Sequence, residues 1–131
     1  MKAEFVNPFL NSLLDVLRTM AQTELTPGKA QLKQNDLAQG DVSGLIGMVG
    51  PQTKDSFSIR FEQGLALKIY QRMLGSEVEE IGDEITDMVG EITNMVTGGA
   101  KRILGEKGYE FDMATPAVVS DRKSTRLNSS H

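Results

Sequence analysis

The residues of this chain whose types and spacing could do chemistry lie together in Asp87-Met88-Val89-Gly90-Glu91-Ile92-Thr93-Asn94. At about 100° per residue of an α-helix, Asp87, Glu91, Asn94, Gly98 and Lys101 fall within a wedge of roughly 80°. They therefore share one helix face. An apolar stripe at the i, i+3, i+4, i+7 spacing that packs a helix onto a core occupies the opposite side: Ile85, Met88, Val89, Ile92, Val96, Gly99, Ala100 and Ile103. This arrangement turns Glu91 and Asn94 towards solvent or a partner.

A polar helix face is usually only a solvated surface, but three features of this one favour a docking surface. Asn94 lies in mid-helix although asparagine is a poor helix former. Asp87 and Glu91 form a like-charge i, i+4 pair, which mildly destabilises a helix. Gly98 costs roughly 1 kcal/mol relative to alanine and leaves a bare patch. For Asp87 itself, a surface charge and a docking residue remain equally good interpretations.

The run Asp-x-x-x-Glu-x-x-Asn, followed 22 positions after Asn94 by Pro116, resembles the active-site signature of the CheC/CheX/FliY phosphatases. These proteins act on the phosphorylated chemotaxis response regulator CheY. The flanking sequence is similar to the CheX branch at residues 5–9 (FVNPF), 40–44 (GDVSG), 91–95 (EITNM) and 98–100 (GGA). The likeness runs from about Met1 to Val119.

The resemblance implies a catalytic role for Glu91 and Asn94. Asn94 would orient the attacking water, and Glu91 would pair with the active-site lysine of the regulator. Asp87, Gly98 and Lys101 are the candidate docking residues. The resemblance implies no cofactor of the chain's own, with Mg²⁺ supplied by the response regulator, and a homodimer when the protein is full length. The competing hypothesis is a non-catalytic module of the same fold that binds a receiver or a flagellar switch component.

Composition limits the other classes of function. The 131 residues predict one domain, with 39% apolar and 24% charged residues as in ordinary soluble proteins. The chain has no cysteine, which excludes disulfides, thiolate nucleophiles and cysteine-ligated metal, and fits a cytoplasmic protein. No apolar run approaches the roughly 20 residues of a membrane span. The acidic chain is a poor candidate for binding nucleic acid or an anionic membrane.

The last eleven residues, 121–131, resemble the translation of a sequencing adapter, so we exclude them from the domain (1–120) and expect an artefactual, irregular tail. Without them the formal net charge changes from −4 to −6, and the only histidine, His131, is lost, which excludes histidine chemistry. Because the family continues with further strands, we expect a chain truncated near Ser120. One sheet edge should then be unpaired, and part of the apolar face of a long helix should be exposed.

Around the central helix, expected at 81–106 and ended by Gly108, the pattern predicts two more helices. The first spans 7–23, with Asn7 as its cap and Pro8 as its first residue. The second spans 63–74 and is stopped by Gly75. Asp83, Asp87 and Glu91 could suggest a cation site, but one helix face supplies too few converging ligands for Mg²⁺ or Ca²⁺.

Strands are expected near 30–32, at 42–49, at 56–61 in a hairpin with the previous strand, and at 111–119, where Pro116 indicates an edge or a bulge. Gly44, Gly47 and Gly50 match neither phosphate-binding glycine pattern and favour close backbone approach in a buried strand. The predicted fold class is α/β of the α+β kind, with an antiparallel sheet packed against two long helices. The resemblance implies an internally duplicated CheC/CheX-like fold.

Overall fold

The computed structural model describes residues 3–22, 30–33, 41–51, 54–79, 81–120 and 123–127. They form three helices and six strands in the order α1 (Ala3–Ala21), β1 (Ala30–Lys33), β2 (Val42–Val49), β3 (Lys54–Phe61), α2 (Gln63–Leu74), α3 (Asp83–Glu106), β4 (Asp112–Met113), β5 (Ala117–Ser120) and β6 (Lys123–Leu127). Each long helix, α1 and α3, is followed by three strands. The predicted α+β class is confirmed.

The sheet has the strand order β1-β3-β2-β5-β6, with β4 also paired to β2, and every pairing is antiparallel. Alternate residues of β2, namely Val42, Ile46 and Met48, are fully buried in the core that α1 and α3 share. Gly44 continues this inward face and lies directly beneath α3. The central strand β2 therefore supports the helix that carries the candidate site.

Most of the predicted boundaries in the middle of the chain are confirmed. The helix predicted at 63–74 is α2, which ends at Gly75 in the left-handed conformation with φ of 75°. The hairpin of β2 and β3 pairs Val42 with Phe61 and Val49 with Lys54. Gly44 fulfils the expected close approach, since a Cβ on it would overlap the Thr93 side chain.

The predicted start of the first helix is wrong, because α1 begins at Ala3 and contains Pro8 in its interior. The extra turn carries Phe5, whose ring packs edge-on against Tyr109 and Phe111 at centroid distances of 5.2 and 5.3 Å. Burial of this ring offsets the backbone hydrogen bond that a proline removes. The helix ends at Ala21, before Gln22 at φ of 50°.

The expectation of an irregular tail is wrong for residues 123–127. They form β6, which pairs antiparallel with β5, with a register shift between Val118 and Ser120. The exposed backbone groups of β5 gain hydrogen-bond partners from any following segment that can extend, so this edge is not left unpaired. The adapter origin of the segment stays a prediction, and residues 121, 122 and 128–131 lie outside the described part of the chain. The sequence also predicted exposed apolar side chains on a long helix. On α1, the side chains of Leu14 and Met20 are 39% and 50% exposed.

Pro116 divides the predicted strand 111–119 into β4 and β5. It does not place β5 at the edge of the sheet, because β5 lies between β2 and β6. Within the described residues, no helix is long and apolar enough to span a bilayer.

Candidate functional site

Helix α3 is the platform of the candidate site, and both of its ends are well defined. Asp83 and Glu84 lie in its first turn, where negative charge is favoured by the helix dipole. At the other end Gly108 has φ of 90°, its N–H bonds to the Gly105 carbonyl at 3.0 Å, and Tyr109 N–H bonds to the Leu104 carbonyl at 2.9 Å. This pair of bonds is the Schellman arrangement, which closes a helix at a left-handed glycine.

The five predicted site residues lie along one face of α3, which we call the polar stripe: Asp87, Glu91, Asn94, Gly98 and Lys101. The side chains of Asp87, Glu91 and Lys101 are exposed, Gly98 is exposed, and Asn94 is half-buried. At 1.5 Å per residue the stripe is about 21 Å long. The structure therefore brings all five residues onto one accessible surface, as the helical spacing predicts.

Glu91 and Asn94 form the centre of the polar stripe. They are three positions apart, a spacing that makes side chains neighbours on a helix surface. Neither side chain makes a hydrogen bond or an ion pair to any residue that the structure describes. A Cβ added to Gly98 would meet nothing within 4 Å, so the helix backbone is bare one turn beyond Asn94. The pair thus offers a carboxylate and an amide beside a shallow, unobstructed patch.

Beneath this pair, Thr93 fixes α3 on the sheet. Thr93 is fully buried, and its side chain occupies the space where Gly44 of β2 lacks a Cβ. Its hydroxyl donates to the Val89 carbonyl at 2.7 Å, and Thr97 donates to the Thr93 carbonyl at the same distance. The buried hydroxyls of α3 are therefore satisfied within the helix, and the turn that carries Asn94 lies directly on the central strand.

On its other flank, α3 packs against α1 through Ser12. The Ser12 hydroxyl donates to the Val96 carbonyl at 2.9 Å across the helix pair. A Cβ on Gly99 would overlap the same hydroxyl. Small residues therefore allow the two long helices to approach closely beside the polar stripe.

Among the described residues, two clefts border the polar stripe. One, of about 520 Å³, runs between α1 and α3 and is lined by Leu14, Asp15, Met95 and Arg102 among others. The other, of about 530 Å³, lies where Lys101 faces the β2–β3 turn and the segment after α3. Lys101 thus lies at the rim of a concave surface, which its helical position alone did not indicate.

The structure describes no group of three or more His, Cys, Asp or Glu side chains arranged to hold a metal ion, within the ranges given above.

The sequence pattern missed the residues that hold the site in place. Ser12 and Thr93 lie on the apolar faces of their helices, and a single hydroxyl in such a face carries little signal. Thr93 could have been noticed because it and Thr97 recur one turn apart on the side away from the polar stripe. Nothing in the sequence alone links Ser12 to Val96, 84 positions away.

Comparison with known proteins gives a consistent result. The family model described as Chemotaxis phosphatase CheX matches residues 42–130. No curated protein sequence matches the chain significantly.

Several solved structures are similar to the chain. A CheC-like superfamily protein from Shewanella sp. PV-4 is 63% identical with a TM-score of 0.82, over 98% of this chain and 84% of that one. The chemotaxis protein CheX from Vibrio vulnificus is 64% identical with a TM-score of 0.75, over 90% and 75% of the two chains. The CheX–CheY–BeF3–Mg²⁺ complex from Borrelia burgdorferi shares the fold at 22% identity, with a TM-score of 0.69 over 92% and 79%.

Proposed function

This chain belongs to the CheX family of chemotaxis phosphatases, and on that basis we propose that it stimulates hydrolysis of the phosphoaspartate of a CheY-type response regulator. In this proposal the polar stripe enters the active site of the phosphorylated regulator. Glu91 and Asn94 are the catalytic residues. The similar Borrelia structure, in which CheX is bound to CheY with BeF3 and Mg²⁺, supports the choice of partner.

Phosphoryl transfer to water needs a water molecule in line with the phosphorus and stabilisation of charge around the transferring group. An amide suits the first task, because Asn94 can accept a hydrogen bond from the water through its carbonyl oxygen and donate one from its NH₂ group to a phosphoryl oxygen. A carboxylate at position 94 would be repelled by the phosphate. This chemistry would account for an asparagine at position 94 despite its poor helix propensity.

Glu91 has a different role in the proposal. Its carboxylate would form a charge-assisted hydrogen bond with the active-site lysine of the regulator and so fix the register of the two proteins. Mg²⁺ is supplied by the regulator, where it neutralises charge on the phosphoryl oxygens. The chain itself contributes geometry and two polar groups, and no cofactor of its own.

One observation carries the proposal. Glu91 and Asn94 are accessible, lack partners among the residues described, and lie beside the bare backbone of Gly98. Both residues lie on α3, whose backbone is packed against Gly44 of β2 at Thr93 and hydrogen-bonded to Ser12 of α1. A helix packed in this way can present the two side chains to a partner with little backbone rearrangement.

Asp87, Gly98 and Lys101 complete the proposed docking surface. Gly98 would allow a loop of the regulator to approach the helix backbone closely. Asp87 and Lys101 place opposite charges near the two ends of the polar stripe, which orients a partner of complementary charge during encounter. We further propose that the protein acts in the cytoplasm and that the full-length form is a homodimer. Sedimentation of the full-length protein over a range of concentrations tests the dimer.

The decisive experiment measures loss of radiolabelled phosphoryl from a CheY-type receiver with and without the full-length protein. Catalysis predicts faster decay at protein concentrations well below that of the receiver. A non-catalytic module predicts detectable binding, by fluorescence anisotropy of a labelled receiver, while decay stays unchanged even at stoichiometric protein. That second result would exclude the phosphatase and leave the binding module.

A further inference from the structure

A buried hydrogen bond connects the two long helices beside the proposed catalytic pair. Ser12 of α1 is only 6% exposed, and its hydroxyl donates to the Val96 carbonyl of α3 at 2.9 Å. Within an α-helix that carbonyl already accepts the N–H of residue 100. The Ser12 hydroxyl is therefore not required to satisfy the Val96 carbonyl. Its hydrogen bond is a tie between the two helices, that is, a direct link from α1 to α3.

Gly99 makes this tie possible. A Cβ at position 99 would overlap the Ser12 hydroxyl, so the glycine leaves the space that the hydroxyl fills. Glycine inside a helix costs roughly as much as a hydrogen bond contributes. We call Ser12, Val96 and Gly99 the Ser12 junction. Val96 follows Asn94 by two residues, so the junction contacts the turn of α3 that carries Asn94.

The offset between α1 and α3 matters because a receiver is larger than the polar stripe. A stable interface buries about 800 Å² on each partner and involves about 20–30 residues per side. The five stripe residues lie on one helix, so a docked receiver must also rest on neighbouring elements. On the Glu91 side the neighbouring element is α1. The cleft between α1 and α3 is partly apolar there, with Leu14 of α1 and Met95 of α3 in its lining. If the receiver contacts both helices, the offset between α1 and α3 determines where the Asn94 amide lies relative to the phosphorylated residue.

We propose that Ser12 is a positioning residue for the dephosphorylation reaction. By holding α3 at a fixed offset from α1, it places the Asn94 amide within reach of the attacking water when the receiver rests on both helices. The inference depends on the proposed function and adds a residue from outside α3. Ser12 does not touch the substrate; its effect passes through α3.

Three variants of the full-length protein separate this role from packing. Ser12→Ala removes the hydroxyl and leaves a small space. Gly99→Ala pushes a methyl group into the hydroxyl. In the double variant that methyl group fills much of the space left by the hydroxyl. It lies 3.3 Å from the Cβ of residue 12, a close contact that a shift of a few tenths of an ångström relieves. Packing is then largely restored while the hydrogen bond stays absent.

The measurement is kcat and KM for dephosphorylation of a labelled receiver, together with the denaturant midpoint of each variant. Since a misplacement of about 1 Å can cost on the order of 100-fold, loss of one tie should lower kcat about 5- to 10-fold. KM should stay within about twofold, because the docking residues remain. The double variant should recover the wild-type midpoint but keep the low kcat of Ser12→Ala.

A double variant with both wild-type midpoint and wild-type kcat would show that Ser12 only fills space, and would overturn the inference. If the two Gly99 variants do not fold, Ser12→Ala decides alone, and an unchanged kcat overturns the inference. Wild-type protein without any stimulated decay would overturn the proposed function and this inference together. Wild-type activity that Asn94→Ala abolishes and Ser12→Ala leaves intact would overturn only this inference.

Discussion

Replacement of Asn94 by alanine should separate activity from stability. The side chain makes no hydrogen bond to the described residues and is half-buried on the polar stripe. Alanine is the better helix former by roughly 0.5 kcal/mol. The free energy of unfolding should therefore stay the same or rise by up to about 0.5 kcal/mol, a shift in Tm of no more than about 3 °C for a domain of this size.

The effect on catalysis should be much larger. If Asn94 orients the attacking water and contacts the phosphoryl group, its loss resembles removal of one oxyanion-hole donor, which costs about 2–4 kcal/mol in the transition state. At about 1.4 kcal/mol per tenfold, this corresponds to a fall in kcat of roughly 30- to 1,000-fold. KM should change little, because Glu91 and the docking residues remain. The decay of a labelled phosphorylated receiver measures both constants.

Asn7→Ala provides a matched control. Asn7 is an exposed asparagine in the interior of α1, so the substitution makes the same change in helix propensity away from the polar stripe. It should alter stability in the same direction and leave kcat unchanged. An Asn94→Ala protein that keeps its activity within about twofold, or one that unfolds while Asn7→Ala does not, would refute the reasoning.

Three further predictions concern the residues around Asn94. Glu91→Ala should raise KM and lower kcat through loss of a charge-assisted contact worth about 1.5–3 kcal/mol, whereas the exposed Glu84→Ala in the first turn should change neither constant in the same decay assay. Gly44→Ala should lower the free energy of unfolding by about 1–3 kcal/mol, because its methyl group overlaps the buried side chain of Thr93. Chemical denaturation measures this change. The control Gly64→Ala should not destabilise the fold, because its methyl group meets nothing within 4 Å. Gly98→Gln should stabilise α3 by up to about 1 kcal/mol and yet weaken receiver binding by anisotropy, since it covers the bare patch; unchanged affinity would place the docking surface elsewhere.

The features that the sequence predicted well are those with a strong local signal. Gly75 ends α2 and Gly108 ends α3, because only glycine adopts the left-handed conformation without strain. The polar stripe follows from helical spacing alone, since every residue involved lies on one helix. The β2–β3 hairpin follows from an apolar run closed by Pro51 and an alternating run that begins at Ser56.

The features that it missed depend on contacts between distant segments. Pro8 is a good first helical residue, and its place inside α1 follows only from the packing of Phe5 on rings more than 100 positions away. The strand β6 depends on a neighbouring edge that offers backbone partners, rather than on its own polar sequence. Ser12 and Thr93 are single hydroxyls whose partners, Val96 and Gly44, become visible only once the helices are packed.

The contact of Thr93 with Gly44 also determines how the site responds to destabilising substitutions elsewhere in the protein. The turn that carries Glu91 and Asn94 is seated on the central strand, so its amide protons should exchange with solvent only through global unfolding. A destabilising substitution elsewhere in the core would then reduce the fraction of molecules that are folded and active. The molecules that remain folded would keep normal kinetic constants. Loss of function by that route would be corrected by lower temperature or by a compensating stabilising substitution, whereas loss through Asn94 would not.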